Sequence, residues 1–136
     1  MTLTIASVNV NGIRAACKRR NENNPGMNAW LAETSADIVL MQEVRATPEQ
    51  AEKALAPALE MGWHLALADA AAKGRAGVGI LSRTPLADVE VGFGSFSDAG
   101  RWIAATTRDI RVASLYLPSG DTGSPCLLYT SDAADE

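Results

Sequence analysis

Apolar and polar positions alternate from Thr2 to Val10, with Leu3, Ile5 and Ser7 on one face beside Asn9 and Thr4, Ala6, Val8 and Val10 on the other. A period of two marks a strand, and apolar residues on both faces predict one that is buried on both sides, ending at Asn9. The run Asn21-Glu22-Asn23-Asn24-Pro25-Gly26 is polar and rich in turn formers. A short helix is expected after it over Met27 to Thr34, with Trp30 and Leu31 facing inward. Asp37 to Glu43 reads as a second strand. Its core Ile38-Val39-Leu40-Met41 is continuously apolar, as suits a central strand covered on both faces.

The period then changes. Thr47-Pro48-Glu49-Gln50 combines a Thr N-cap, Pro at the first helical position and Gln three residues on, the elements of a capping box. Ala51, Ala54, Leu55, Ala58 and Leu59 recur at helical spacing, so the helix should run to about Met61, with Pro57 disturbing its last turn and Gly62 marking the stop. Strand-like runs follow at Trp63 to Ala68, Val78 to Ser82, Ala87 to Val91, Trp102 to Thr107 and Ile110 to Leu117. Strand, helix, strand, helix and then closely spaced strands predict an α/β layered domain with much antiparallel pairing.

Composition narrows the field. A chain of 136 residues, 47% hydrophobic, can bury one core of its own. No apolar run approaches the roughly 18 residues that span a bilayer, and Met1-Thr2-Leu3-Thr4 lacks the basic start of a secretory signal, so a cytoplasmic protein is expected. Cys17 and Cys126 form no CxxC pair, which suggests neither a disulfide framework nor a zinc site. The net charge of −4 speaks mildly against gripping nucleic acid by bulk electrostatics, yet Arg14, Lys18, Arg19 and Arg20 are clustered. Three acids, Asp132, Asp135 and Glu136, lie in the final stretch; without them the net charge is −1. That stretch, Cys126 to Glu136, resembles a translated transposon-end sequencing adapter and is set apart from the folded part, residues 1–125; a natural frayed terminus is the alternative.

Two segments carry chemistry. Ser7-Val8-Asn9-Val10-Asn11-Gly12-Ile13-Arg14 ends a strand in two amides and a glycine turn, and Gln42-Glu43-Val44-Arg45 puts a carboxylate at the end of a strand expected to lie beside the first. Mg²⁺ is commonly held by one or two carboxylates plus water and phosphate, so a lone Glu43 is a sufficient anchor. Either segment alone also fits a plain strand terminus: asparagine starts turns, and a glutamate at a strand end can simply be solvated.

Together they resemble the exodeoxyribonuclease III and AP endonuclease branch of the endonuclease/exonuclease/phosphatase superfamily. Three further blocks extend the resemblance in the same order: Lys73-Gly74-Arg75-Ala76-Gly77-Val78-Gly79-Ile80, Gly100-Arg101-Trp102, and Ser114-Leu115-Tyr116-Leu117-Pro118-Ser119-Gly120. The resemblance implies the N-terminal part of a four-layer α/β/β/α sandwich, incomplete here, and hydrolysis of DNA phosphodiesters with Mg²⁺ or Mn²⁺. Implied activities are 3′ to 5′ exonuclease and abasic-site endonuclease, on duplex DNA, by a monomer. By the same resemblance Glu43 and Asn11 would lie at the metal, Asn9 would orient the catalytic groups and Tyr116 would put its phenol beside the phosphate. Arg14, Arg45 and Arg75 would contact DNA, although a solvated basic face explains each of these, and a half-buried strand position explains Tyr116. The family's general base lies in an Asn-Gly-Asp segment with an Asp-His pair further on, and this sequence contains neither. Its one histidine, His64, falls inside an expected strand and reads as structural. The chain as written is therefore expected to be inactive. Hydrolases of inositol phosphates or sphingomyelin in the same superfamily, a DNA-binding remnant, and an unstable fragment are the alternatives.

Overall fold

The computed structural model describes residues 2–19, 21–68, 77–92 and 101–117. Strand β1 (Ile5–Asn9) runs parallel to β2 (Ile38–Gln42), with Asn9 level with Gln42. β2 then pairs antiparallel with β4 (Val78–Ser82), and β4 with β3 (His64–Ala68), giving the order β1-β2-β4-β3. The unbroken apolar run of β2 has a physical purpose. Val39 and Met41 enter one core, while Ile38 and Leu40 face another. β4 divides in the same way, with Leu81 on the first side and Val78 and Ile80 on the second. Gly79 sits where an added Cβ would lie 2.8 Å from Leu67 Cδ2 and 3.0 Å from Met41 Cε, so its missing side chain lets β3 and β2 pack closely across it.

β5 (Ala87–Val91), β6 (Trp102–Thr107) and β7 (Ile110–Leu115) form a second, antiparallel sheet in chain order. Arg108 and Asp109, both at positive φ (52° and 62°), close the β6–β7 hairpin in the manner of a type I′ turn, which suits the twist of the paired strands. Ile103, Ala105 and Val112 of this sheet meet Ile38, Val78 and Ile80 of the first, so the sheets stack face to face. The far side of the first sheet is covered by α1 (Ile13–Ala16), α2 (Met27–Glu33), α3 (Pro48–Ala54) and α4 (Ala56–Glu60), through Ile13, Leu31, Ala51, Leu55 and Ala58. Helix, sheet, sheet is the order expected of a partial α/β/β/α sandwich.

Most of the expected elements are present; three differ and one was not expected. β1 is not buried on both sides: it is the edge of its sheet among the described residues, Ile5 is 45% exposed, and Ala6 and Val8 are only half-buried. Periodicity reports which residues share a face but not whether both faces are covered. Trp30 does not face inward but is 40% exposed, while its neighbour Leu31 is fully buried, because adjacent residues on a helix point about 100° apart. The helix from Thr47 to Met61 is two helices divided at Leu55, since Pro57 has no N–H to give and its ring crowds the carbonyl four residues back. The one-turn helix α1 was not expected. Residues 126–136, set apart as a tail, lie outside the described residues.

Candidate active site

The parallel pairing of β1 and β2 continues past their ends and draws the two following loops together. Val10 N–H donates to Gln42 O (3.0 Å), Gly12 N–H to Glu43 O (2.8 Å) and Ile13 N–H to Val44 O (2.9 Å), while Val44 N–H reaches Gly77 O (2.9 Å). These bonds hold three non-glycine residues in left-handed backbone: Asn11 (φ 45°), Glu43 (φ 53°) and Arg45 (φ 51°). Such conformations cost roughly 1–3 kcal/mol each and persist where the surroundings over-determine them, which is typical of functional sites.

The contacts converge on Glu43. Its Oε1 accepts from the Tyr116 hydroxyl at 3.1 Å and from Arg45 Nη2 at 3.0 Å, and its side chain is 13% exposed. Tyr116 follows the end of β7 in the second sheet, where its N–H donates to Arg101 O (2.8 Å), so the carboxylate and the phenol come from different sheets. Asn9 closes the group from β1. Its Oδ1 accepts from Asn11 N–H at 3.0 Å, and its side chain hydrogen-bonds Glu43.

These contacts set the charges. The hydrogen bond from Asn9 does most to hold the Glu43 carboxyl below its ordinary range; partial burial opposes the shift, and Tyr116 and Arg45 reinforce it. The Tyr116 phenol is pushed above its ordinary range, first by burial and then by the hydrogen bond to Glu43 and its charge. At neutral pH the site therefore presents an ionised carboxylate beside a protonated phenol. One ionised carboxylate is a sufficient anchor for a hard cation that keeps several waters, and no cluster of three His, Cys, Asp or Glu occurs among the described residues to make a closed cage.

The structure brings Asn9, Glu43, Arg45 and Tyr116 into contact and leaves the other candidates at different distances. Asn11 is exposed and lines a shallow pocket with Val10, Ala15, Ala16, Lys18 and Asn24; it reaches the group through its backbone N–H. Arg14 is exposed, and its guanidinium lies 3.5 Å from Arg45 O. Arg75 lies outside the described residues. His64 is exposed and pairs with Ser82, which in turn pairs with Ile38, at the end of the sheet away from Gln42.

Sequence reading missed three participants. Arg101 lies close enough to bear on the charge of Tyr116. Gln42 and Ser114 form a hydrogen-bonded link between the sheets directly behind the site. Gln42 was visible as the residue before Glu43 and Ser114 as the inward position before Tyr116, but only the stacking of the sheets shows that they meet.

Comparison with known proteins adds the family context. The profile of the Endonuclease/Exonuclease/phosphatase family matches residues 6–130. An AP endonuclease from Archaeoglobus fulgidus is similar, with a TM-score of 0.75 and 29% identity over 98% of this chain and 49% of that one. The 3′-5′ exonuclease NExo from Neisseria meningitidis gives 0.74 and 28%, over 94% and 47% of the two chains. A Neisseria NExo described as a 3′ phosphatase bound to a product DNA hairpin gives 0.76 and 28%, over 96% and 48%. The chain thus spans about half the length of these solved structures.

Proposed function

The chain belongs to the endonuclease/exonuclease/phosphatase family, and from that membership we propose that it is the N-terminal half of a Mg²⁺- or Mn²⁺-dependent DNA-repair phosphodiesterase, carrying the metal-anchoring part of the active site. The observation that carries the proposal is the 3.1 Å contact between Glu43 and Tyr116, made where the ends of two sheets meet. Glu43, held ionised by Asn9, would anchor the cation. A cation there would polarise a phosphate oxygen and offset charge on the leaving oxygen. Tyr116, kept protonated, would donate to a phosphate oxygen, and Arg45 would turn from the carboxylate to the phosphate, whose geometry a guanidinium matches. Asn11, Arg14 and Arg75 would serve beside the metal and along the DNA.

DNA is favoured over inositol phosphates or sphingomyelin because similar structures at 28–29% identity are an AP endonuclease, a 3′-5′ exonuclease and a 3′ phosphatase bound to DNA. The substrate would be duplex DNA at abasic sites or 3′ ends, taken by a cytoplasmic monomer. Among the described residues, no helix is long and apolar enough to cross a membrane. The Asn-Gly-Asp and Asp-His segments in which the resemblance places the general base and its pair do not occur in this sequence, so the chain alone should bind metal and DNA without cutting. Thermal melting with and without Mg²⁺ tests the metal site, with an abasic duplex incubated alongside. The expected result is a cooperative melt raised by Mg²⁺ in the native chain but not in Glu43→Gln, with the duplex left intact. An identical melt with and without Mg²⁺ would remove the metal site, and cleaved duplex would overturn the assignment of the base to other residues.

A further inference from the structure

We infer that Gln42 and Ser114 are positioning residues that lock the two sheets in the one alignment that lets Tyr116 reach Glu43. The inference rests on the proposed role of that pair, but its geometry is independent of metal and DNA. Ser114 is 1% exposed; its hydroxyl donates to Met41 O at 2.7 Å and accepts from Gln42 Nε2 at 3.2 Å. The same Gln42 amide donates to Ser7 Oγ at 3.1 Å and approaches Leu40 O at 3.3 Å, so one side chain ties β1, β2 and β7 together.

Between this link and the Ser82–Thr107 pair toward the other end, the contact between the sheets is apolar, through Ile38, Val78, Ile80, Ile103, Ala105 and Val112. Apolar contact is nearly indifferent to small sliding movements, whereas hydrogen bonds are directional and weaken steeply when bent or stretched. The link is also well placed. Ser114 lies two residues before Tyr116, on the same face of its strand, and Gln42 immediately precedes Glu43. The brace therefore stands one step behind the contact it would set, with Ser114 capping Met41 O. Ser82 and Thr107 form a comparable buried hydroxyl pair (3.1 Å) toward the other end of the stack, but no candidate site residue lies beside it.

The test uses the full chain with fluorotyrosine at position 116 and Tyr129→Phe, so that one fluorine resonance reports on the phenol. Glu43→Gln should shift this resonance, because it changes the charge of the hydrogen-bond partner. In Gln42→Met, which keeps the volume and removes the amide, Glu43→Gln should shift it by less than half as much. Ser114→Ala should weaken the shift in the same way, and Ser114→Thr, which keeps the hydroxyl, should restore it. Circular dichroism on each variant confirms that it folds, and the two brace positions provide independent routes if one does not. An undiminished response in both Gln42→Met and Ser114→Ala, or no response in the native background, would overturn the inference. Neither Mg²⁺ nor DNA enters the measurement, so the failure of the proposed nuclease role would leave this result standing, and the reverse.

Discussion

Glu43 occupies left-handed backbone that glutamate rarely adopts, held by Gly12 N–H on its own carbonyl and by Gly77 O on the N–H that follows. The return on that strain is a carboxylate facing an amide, a phenol and a guanidinium at once. Because its pKa is lowered in the folded chain, it contributes stability that is fully present above its ordinary value of 4.5 and lost as pH falls through the lowered value. Melting temperature followed below pH 4.5 should therefore drop more steeply in the native chain than in Glu43→Gln. Tyr116→Phe removes a hydrogen bond to a charged group at a half-buried position and should cost about 1.5 kcal/mol in a denaturant titration. The carboxylate and Asn9 were legible in the sequence because residues at the ends of adjacent parallel strands must meet. Their strain was not legible, since it depends on which backbone groups the loops find.

At the scale of elements, local signals were read correctly where they act within a few residues. The capping box at Thr47 forms as expected: Gln50 N–H donates to Thr47 Oγ1 at 3.2 Å, and Thr47 N–H to Gln50 Oε1 at 3.0 Å. Four of the five later strands begin where their sequence patterns do, and the other, β3, begins one residue later. What failed was burial: Ile5 and Trp30 are exposed despite belonging to a correctly placed strand and helix, because coverage is a property of neighbouring layers rather than of the segment. Gly26 shows how a turn residue can be more than a turn. It sits at φ 99° before α2, and a Cβ there would lie 2.8 Å from Cys17 O and 3.0 Å from Lys18 O, both rigid backbone. Gly26→Ala combines left-handed strain with a clash that cannot rotate away, so it should destabilise the chain by about 2 kcal/mol or more, measured by urea unfolding. Gly62→Ala is the control: its φ is also positive, but no atom lies within 4 Å of the added carbon, so it should cost less.

Across the whole molecule, charge and layering divide the labour. The chain carries a net charge of −4, yet Arg14, Lys18, Arg19 and Arg45 are all exposed in the segments that follow β1 and β2, with Arg14 and Arg45 beside each other and Arg45 on Glu43. Arg108 and Arg111 belong to the hairpin end and are engaged with Asp37 and Glu90. Under the proposed function, a nucleic acid approaching the Glu43 end would meet a local positive edge on an acidic protein, which favours one orientation of docking over nonspecific coating. Each phosphate neutralised by a cation contributes about −0.9 to the slope of log affinity against log salt, so these four groups together would contribute about −3.6. Fluorescence anisotropy of an abasic duplex over a salt series reads that slope in the native chain and in single variants. Lys18→Ala should flatten it by about 1, while Arg111→Ala should leave it unchanged. Equal effects from both substitutions would mean that DNA senses the whole surface, and the concentration of cations at one end would then not determine how the two meet.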